Sequence, residues 1–242
     1  MPWNKSGITR LAVLLLLSLP ALLIHSQTAP SSSPAPNQTP PQPASPSPPL
    51  ILIDPAHGGA DSGAALNAAF PEKDVTLVLA RRLRQDLASH GMSAQLLRNG
   101  DNTLPLDQRA AMVNASHPAL YLVIHATSQG SGIRLYSAML PSGQSSRGPF
   151  LDWQTAQTSA LAHSRSIQAQ ITTTLQKTGF PMRSLVAPLR PLNNLIVPAI
   201  AIEVAPTSAD VSQLASSDYQ ETVCGDLANA FAATLPLLRT GP

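Results

Sequence analysis

The apolar positions of the chain change period several times, and each change predicts an element. Leu50-Ile51-Leu52-Ile53 is a continuous apolar run that stops at Asp54-Pro55-Ala56-His57-Gly58-Gly59. Such a run, bounded by a glycine-rich turn, predicts a buried strand. Val75, Leu79, Leu83 and Leu87 then recur at intervals of four, with Val78 beside them, as the stripe of an amphipathic helix. Pro71 suits the start of that helix and Glu72 sits at its positive dipole end; Arg81, Arg82, Arg84 and Gln85 take the other side, and Gly91 ends it. Met92 to Leu97 predicts a second strand. Leu106, Arg109, Ala110, Val113 and Asn114 share one side of a shorter helix, and Ala119 to Ile124 is a third apolar strand that delivers His125.

Further along, Gly132 to Ala138 suits an edge strand, and a Gly/Ser-rich loop from Pro141 to Gly148 follows. A long scaffold helix from Asp152 to Lys177 carries Ile167, Ile171 and Leu175 and is closed by Gly179. Val197 to Val204 predicts another apolar strand, which holds Glu203. The last helix opens on Ser217 and Gln220, read as a capping box, and buries Val223, Leu227, Ala230, Phe231 and Leu235. Strands alternating with helices predict one α/β domain over residues 50–238, with helices on both faces of the sheet. No internal repeat is visible.

The segment before this domain has a different character. Lys5 and Arg10 precede a mostly apolar run from Leu11 to Ile24, and small residues follow near Ser26-Gln27-Thr28-Ala29. A basic start, a short apolar run and a small-residue site form the pattern of a secretory signal peptide. Residues 1–29 are therefore expected to be a signal peptide cleaved near Ala29, with an uncleaved membrane anchor as the alternative. Residues 30–49 carry no charge and are rich in proline, so they predict a disordered, extended linker.

Charged residues make up 12% of the chain and the formal net charge is +2, which gives no footprint of nucleic-acid binding. The single Cys224 excludes an intrachain disulfide and a cysteine-rich metal cluster, and its apolar helical surroundings predict core packing. The glutamates are only Glu72, Glu203 and Glu221, so each one outside a surface pattern needs a reason.

His57 and His125 both follow apolar strands, and the carboxyl ends of parallel strands are where open α/β sheets place their ligands. With Glu72 they supply two imidazoles and one carboxylate, the donor set of a hydrolytic zinc site that leaves a position for water. Each has a plainer reading: a lone histidine after a strand is commonly a hydrogen-bonded loop residue, and Glu72 alone is a helix-dipole partner. Glu203 lies in the apolar run Ile200 to Ala205, where an unpaired carboxylate is costly. A nearby dication or a proton-shuttling role accounts for it, and so does pairing with a structural arginine or a place at the strand's exposed end. His90, His117 and His163 read as surface residues. Trp153 and the Pro141 to Gly148 loop either line a groove or merely cover the sheet.

Taken in order, Ile53 to Ala64, Glu72-Lys73-Asp74-Val75, Ile124-His125-Ala126 and Val197 to Glu203 resemble the zinc-dependent N-acetylmuramoyl-L-alanine amidases of bacterial cell-wall turnover, amidase-3 type. Leu97 to Asp101, Leu106 to Ala110 and Pro188-Leu189-Arg190 fit the same pattern. The resemblance covers the domain and implies a twisted, mostly parallel sheet, with His57, Glu72 and His125 binding Zn2+ and Glu203 acting as catalytic acid/base. It further implies hydrolysis of the amide between N-acetylmuramic acid and L-alanine in peptidoglycan or muropeptides. Export to the periplasm or cell envelope is expected, with membrane contact only through an uncleaved N-terminal segment and a monomer as the default. Ala56 departs from the family's usual glycine, Val123 from serine and Thr127 from asparagine, while Val204-Ala205-Pro206 replaces a glycine-phenylalanine region. These changes bear on substrate contacts and rate. They motivate an alternative, a non-catalytic peptidoglycan-binding module on the amidase fold; an amidase acting on another peptide or acylated sugar is a third reading.

Overall fold

The computed structural model describes residues 47–68, 70–141 and 152–240. The expected signal segment, the linker up to residue 46 and the loop residues 142–148 lie outside them. Among the described residues, six strands form one sheet: β1 (Leu50–Pro55), β2 (Ser93–Leu96), β3 (Leu120–Ala126), β4 (Gly132–Ala138), β5 (Met182–Ala187) and β6 (Ala199–Ala205), in the order β2-β1-β3-β6-β4-β5. The neighbours β2, β1, β3 and β6 run parallel; β4 is antiparallel to β6, and β5 is parallel to β4. The helices are α1 (Glu72–Ser89), α2 (Leu106–Ser116), α3 (Leu161–Leu175), α4 (Ser217–Ala232) and α5 (Leu235–Thr240). Among the described residues, no helix is long and apolar enough to cross a membrane.

Side chains of a strand alternate between faces, so each strand contributes to two cores. Ile51 and Ile53 of β1, Leu120, Leu122 and Ile124 of β3, and Ile200, Ile202 and Val204 of β6 share one cluster with residues of α1, α3 and α4. The intervening residues Leu52, Tyr121, Val123 and Ala201 meet Ala110 and Val113 of α2 and the segment from Leu192 to Val197. Burying each large aliphatic side chain contributes about 1.5–3 kcal/mol, so both faces are held. Cys224 is part of the first core. The second face is also the one on which His125 and Glu203 fall, since they continue the Val123 and Ala201 alternation.

Several expectations need correction. Val78 is 44% exposed rather than part of the α1 stripe, and Leu106 is 47% exposed at the start of α2. β4 is an interior strand; the edge is β5, whose mostly exposed Met-Arg-Ser-Leu-Val-Ala lacks the apolar alternation that marks the other strands. The expected long helix is divided into a 3-10 segment, Trp153–Ser159, and α3, because Asp152 caps the first through Gln154 and the chain then restarts at Ala160. The capping residue of α4 is Ser216, whose hydroxyl accepts from the Tyr219 N–H at 3.2 Å, while Gln220 donates to the Leu214 carbonyl instead of closing a box. Leu235 belongs to α5, beyond the end of α4. His163 is only partly exposed, its Nε2 buried without a hydrogen-bond partner among the described residues.

Candidate metal centre

β1 ends at Pro55, and the chain then turns sharply enough that His57 adopts a left-handed backbone, φ +64°. A non-glycine residue in that region is strained and is held only when its surroundings over-determine it. Two buried arginines provide the restraint. Arg109 of α2 donates to the carboxylate of Asp54, to the Pro55 carbonyl at 3.1 Å and to the His57 carbonyl at 2.5 Å. Arg98 donates to the carbonyls of Pro55, Ala56, Lys73 and Gly100, joining the turn to the first turn of α1. Asp54 is fully buried; burial pushes its carboxyl up, opposed by Arg109 and by the hydroxyl of Tyr121, which donates to it at 2.5 Å.

Glu72 is the first residue of α1, so the helix start places its side chain beside the β1 turn. Its Oε2 lies 3.1 Å from His57 Nε2 and its Oε1 lies 2.8 Å from His125 Nδ1. Gly63 makes this approach feasible: at φ +67°, a Cβ added there would stand 2.6 Å from the His57 ring and 2.8 Å from Glu72. The N–H groups of Ala64 and Ala126 also donate to the Glu72 carboxylate, at 2.9 and 3.2 Å. Burial works to raise this carboxyl, but the bonds to His125 and His57 overcome it and hold Glu72 far below the usual carboxylate range. His57 is shifted upward, chiefly by Glu72 and against the effect of burial, with a further contribution from Asp61.

One ligand atom each from His57, Glu72 and His125 falls within 4.8 Å of the others. A tetrahedral ion with bonds of about 2.0–2.1 Å keeps its ligands roughly 3.3 Å apart, so separations of this size suit a divalent metal. The neighbouring contact fits as well. His57 Nδ1 lies 2.9 Å from Asp61 Oδ2, and a carboxylate on the far nitrogen of a ligating imidazole fixes which nitrogen faces the ion. Asp61 is itself held below the usual range by that contact. Sequence reasoning passed over Asp61, although its position four residues beyond His57 in the same glycine-rich turn was a usable signal.

Glu203 stands apart from the three. Its Oε2 accepts from Arg134 Nη1 at 2.5 Å and from the Tyr136 hydroxyl at 3.0 Å, and the side chain is 25% exposed. Arginine pairing and partial exposure, the plainer accounts of this residue, are therefore both present. Glu203 nevertheless faces the site, because it and His125 line one cavity of about 190 Å³ together with Tyr136, Leu189, Ala201 and Ile202. A second cavity of about 250 Å³ also borders His125, lined by His57, Leu104, Val123 and Arg190 among others. Arg134 and Tyr136 were not foreseen, since only the strand register shows what they face. His90 bonds to Asn229 and His117 caps α2, both exposed and away from the site.

Comparison with known proteins identifies the family and the fold. The family model described as N-acetylmuramoyl-L-alanine amidase fits residues 51–233. The N-acetylmuramoyl-L-alanine amidase AmiA of Salmonella typhimurium is 39% identical over 77 residues, 32% of this chain and 27% of that protein. The chain thus spans about a quarter of the length of the first curated relatives it matches. Among solved structures, AmiC2 of Nostoc punctiforme aligns at TM-score 0.56 and 25% identity, covering 79% of this chain and 97% of that one. The catalytic domain of CwlV from Bacillus (Paenibacillus) polymyxa shares the fold at TM-score 0.59 and 22% identity, covering 78% of this chain and 99% of its own. With the matched family model extending over most of its length, the chain belongs to the N-acetylmuramoyl-L-alanine amidase family.

Proposed function

We propose that His57, Glu72 and His125 hold zinc and that the chain hydrolyses the amide joining N-acetylmuramic acid to L-alanine in peptidoglycan. The convergence of the three ligand atoms within 4.8 Å carries this reading. Zinc in such a site supplies Lewis acidity toward the amide carbonyl and acidifies water. The remaining work falls to side chains of this chain. Asp61 orients His57 and the β3 strand positions His125, so the only negative charge that the three donors bring to the ion is that of Glu72. Glu203 accepts the proton of the attacking water and returns it to the departing alanine nitrogen; its Oε1 has no protein donor among the described residues and is the oxygen suited to that task. The two cavities that border His125 offer room for the sugar and peptide sides of the bond.

Residues 1–29 are read as an export signal or anchor and residues 30–49 as a tether, which puts the catalytic domain in the periplasm or cell envelope. The protein is taken to act as a monomer.

The test uses the full chain loaded with zinc and supplied with purified peptidoglycan, with mass spectrometry of the products. Free stem peptides beginning with L-alanine, lost on chelation and restored by zinc, are expected. A second reading, a peptidoglycan-binding module without turnover, is favoured by one observation, the Arg134 ion pair on Glu203. Stoichiometric zinc and wall binding with every glycan-peptide bond intact would select that reading.

A further inference from the structure

Resting on the reading of Glu203 as the proton carrier, we propose that Arg134 and Tyr136 are positioning residues that clamp one carboxylate oxygen of Glu203 and leave the other directed to the reacting water. Arg134 and Glu203 are register partners on the antiparallel strands β4 and β6, so their side chains leave the sheet on the same face. Tyr136 lies two residues further along β4, on that face again. Both donors converge on Oε2, at 2.5 and 3.0 Å, rather than sharing the two oxygens between them. A guanidinium facing a carboxylate ordinarily favours the bidentate fork. Here the second arm is diverted: Arg134 Nη2 donates to the Gln129 carbonyl at 2.5 Å.

The diversion is built into the loop after β3. Gly130, at φ +81°, passes so close to Arg134 that any Cβ there would overlap Nη2. The arginine is thus fixed at both ends, by the loop and by the carboxylate, and its pose sets that of Glu203. Tyr136 is raised above the ordinary phenol range by burial and then by its bond to Glu203, which keeps the hydroxyl protonated and donating. A glutamate free to sample its rotamers would spend little time in one productive orientation, and the clamp removes that freedom before substrate arrives. Glu203, Tyr136 and His125 line the same cavity, so the orientation being fixed is the one facing the proposed metal site.

The experiment compares the zinc-loaded full chain with Arg134→Met, Arg134→Lys, Tyr136→Phe and Glu203→Gln, and with Arg134→Met made in the Glu203→Gln background. Turnover and KM on muropeptide, zinc content and melting temperature are measured for each. The expected result is a kcat about 10- to 100-fold lower for Arg134→Met, with KM and zinc content unchanged, partial recovery in Arg134→Lys, and a smaller loss for Tyr136→Phe. No further loss is expected when Glu203→Gln is already present. An undiminished kcat in Arg134→Met, or a loss that persists undiminished in the Glu203→Gln background, overturns the proposal.

A second readout needs no turnover. Glutamate labelling with 13C places signals on Glu72, Glu203 and Glu221 alone, so the Glu203 side chain is observable directly. Restricted motion in the native chain, released in Arg134→Met/Tyr136→Phe, is expected. A Glu203 already mobile in the native chain overturns the clamp. A rigid Glu203 in a zinc-loaded chain that cleaves nothing overturns the amidase reading and leaves the clamp as a purely structural pair.

Discussion

His125 and Glu203 occupy the same rung of the neighbouring parallel strands β3 and β6. Register partners project to one face about 4.8 Å apart, so a proposed metal ligand and a proposed proton carrier are set side by side by backbone hydrogen bonding alone. Loops need not close to assemble them. β6 enters the sheet between β3 and β4, and this crossover is what brings Glu203 beside His125 and Arg134 beside Glu203.

That arrangement assigns different tasks to Glu203 and the metal cluster, and substitution should separate them. Glu203→Gln keeps the shape and the Tyr136 contact but cannot carry a proton. Zinc content is expected to stay at the native level while turnover falls about 10²- to 10⁴-fold. Native turnover in a zinc-loaded Glu203→Gln protein would remove Glu203 from the mechanism.

Gly63 should matter more than its lack of a side chain suggests. A methyl group there meets the His57 ring and the Glu72 carboxylate at 2.6 and 2.8 Å, and the backbone at φ +67° resists any non-glycine residue. Gly63→Ala is expected to weaken zinc binding about 10- to 100-fold, the scale seen when contacts supporting a metal site are disturbed. Competition with a chelator of known affinity measures it. Unchanged affinity would mean that the turn relaxes without moving Glu72.

The acid limit of the β1 turn can be traced to an exposed pair. Asp101 accepts from Lys73 Nζ at 2.8 Å and from the Gly59 N–H at 2.6 Å, and these bonds, Lys73 first, hold it below its ordinary value of 3.8. A carboxyl whose folded pKa lies below its unfolded one contributes stability above the unfolded value and loses it as pH falls through the folded value. The native chain should therefore melt above Asp101→Asn near neutral pH, with the gap closing as pH falls from the ordinary value of 3.8 through the lower folded one. Thermal melts of both proteins across that range provide the check; a constant gap down to pH 2 would assign the effect to something other than ionisation.

The sequence made the skeleton of this site legible because its parts are local. His57 and Gly58 follow an apolar run, Glu72 follows Pro71, and His125 ends another apolar run, so each could be placed on an element without tertiary information. What the pattern could not carry was pairing. Gly132 to Ala138 alternates like an edge strand, and only the burial of its Ile133 and Leu135 beneath α3, with β6 and β5 on either side, reveals an interior one. Arg134 and Tyr136 were invisible for the same reason, since their role depends on the register of β4 against β6. β5 was missed because an exposed edge strand need not be apolar on either face.

The buried pair of Asp54 and Arg109 gives the sharpest energetic prediction. Asp54 is fully buried and the Arg109 side chain is 4% exposed, so neither charge is solvated well enough to stand alone. Removing one partner of such a pair costs about 3–5 kcal/mol, whereas replacing both is far less damaging. Arg109→Met should therefore destabilise the chain by about that amount in urea denaturation, and Asp54→Asn/Arg109→Met should recover part of it, because the stranded carboxylate is gone. The two losses need not track metal affinity in the same way. Arg109 also holds the His57 carbonyl at 2.5 Å, a bond that the second substitution does not restore. The double variant is expected to regain stability while still binding zinc more weakly than the native chain. Recovery of zinc affinity in parallel with stability would show that the left-handed turn at His57 is held by the rest of the fold, and that Arg109 serves only to neutralise Asp54.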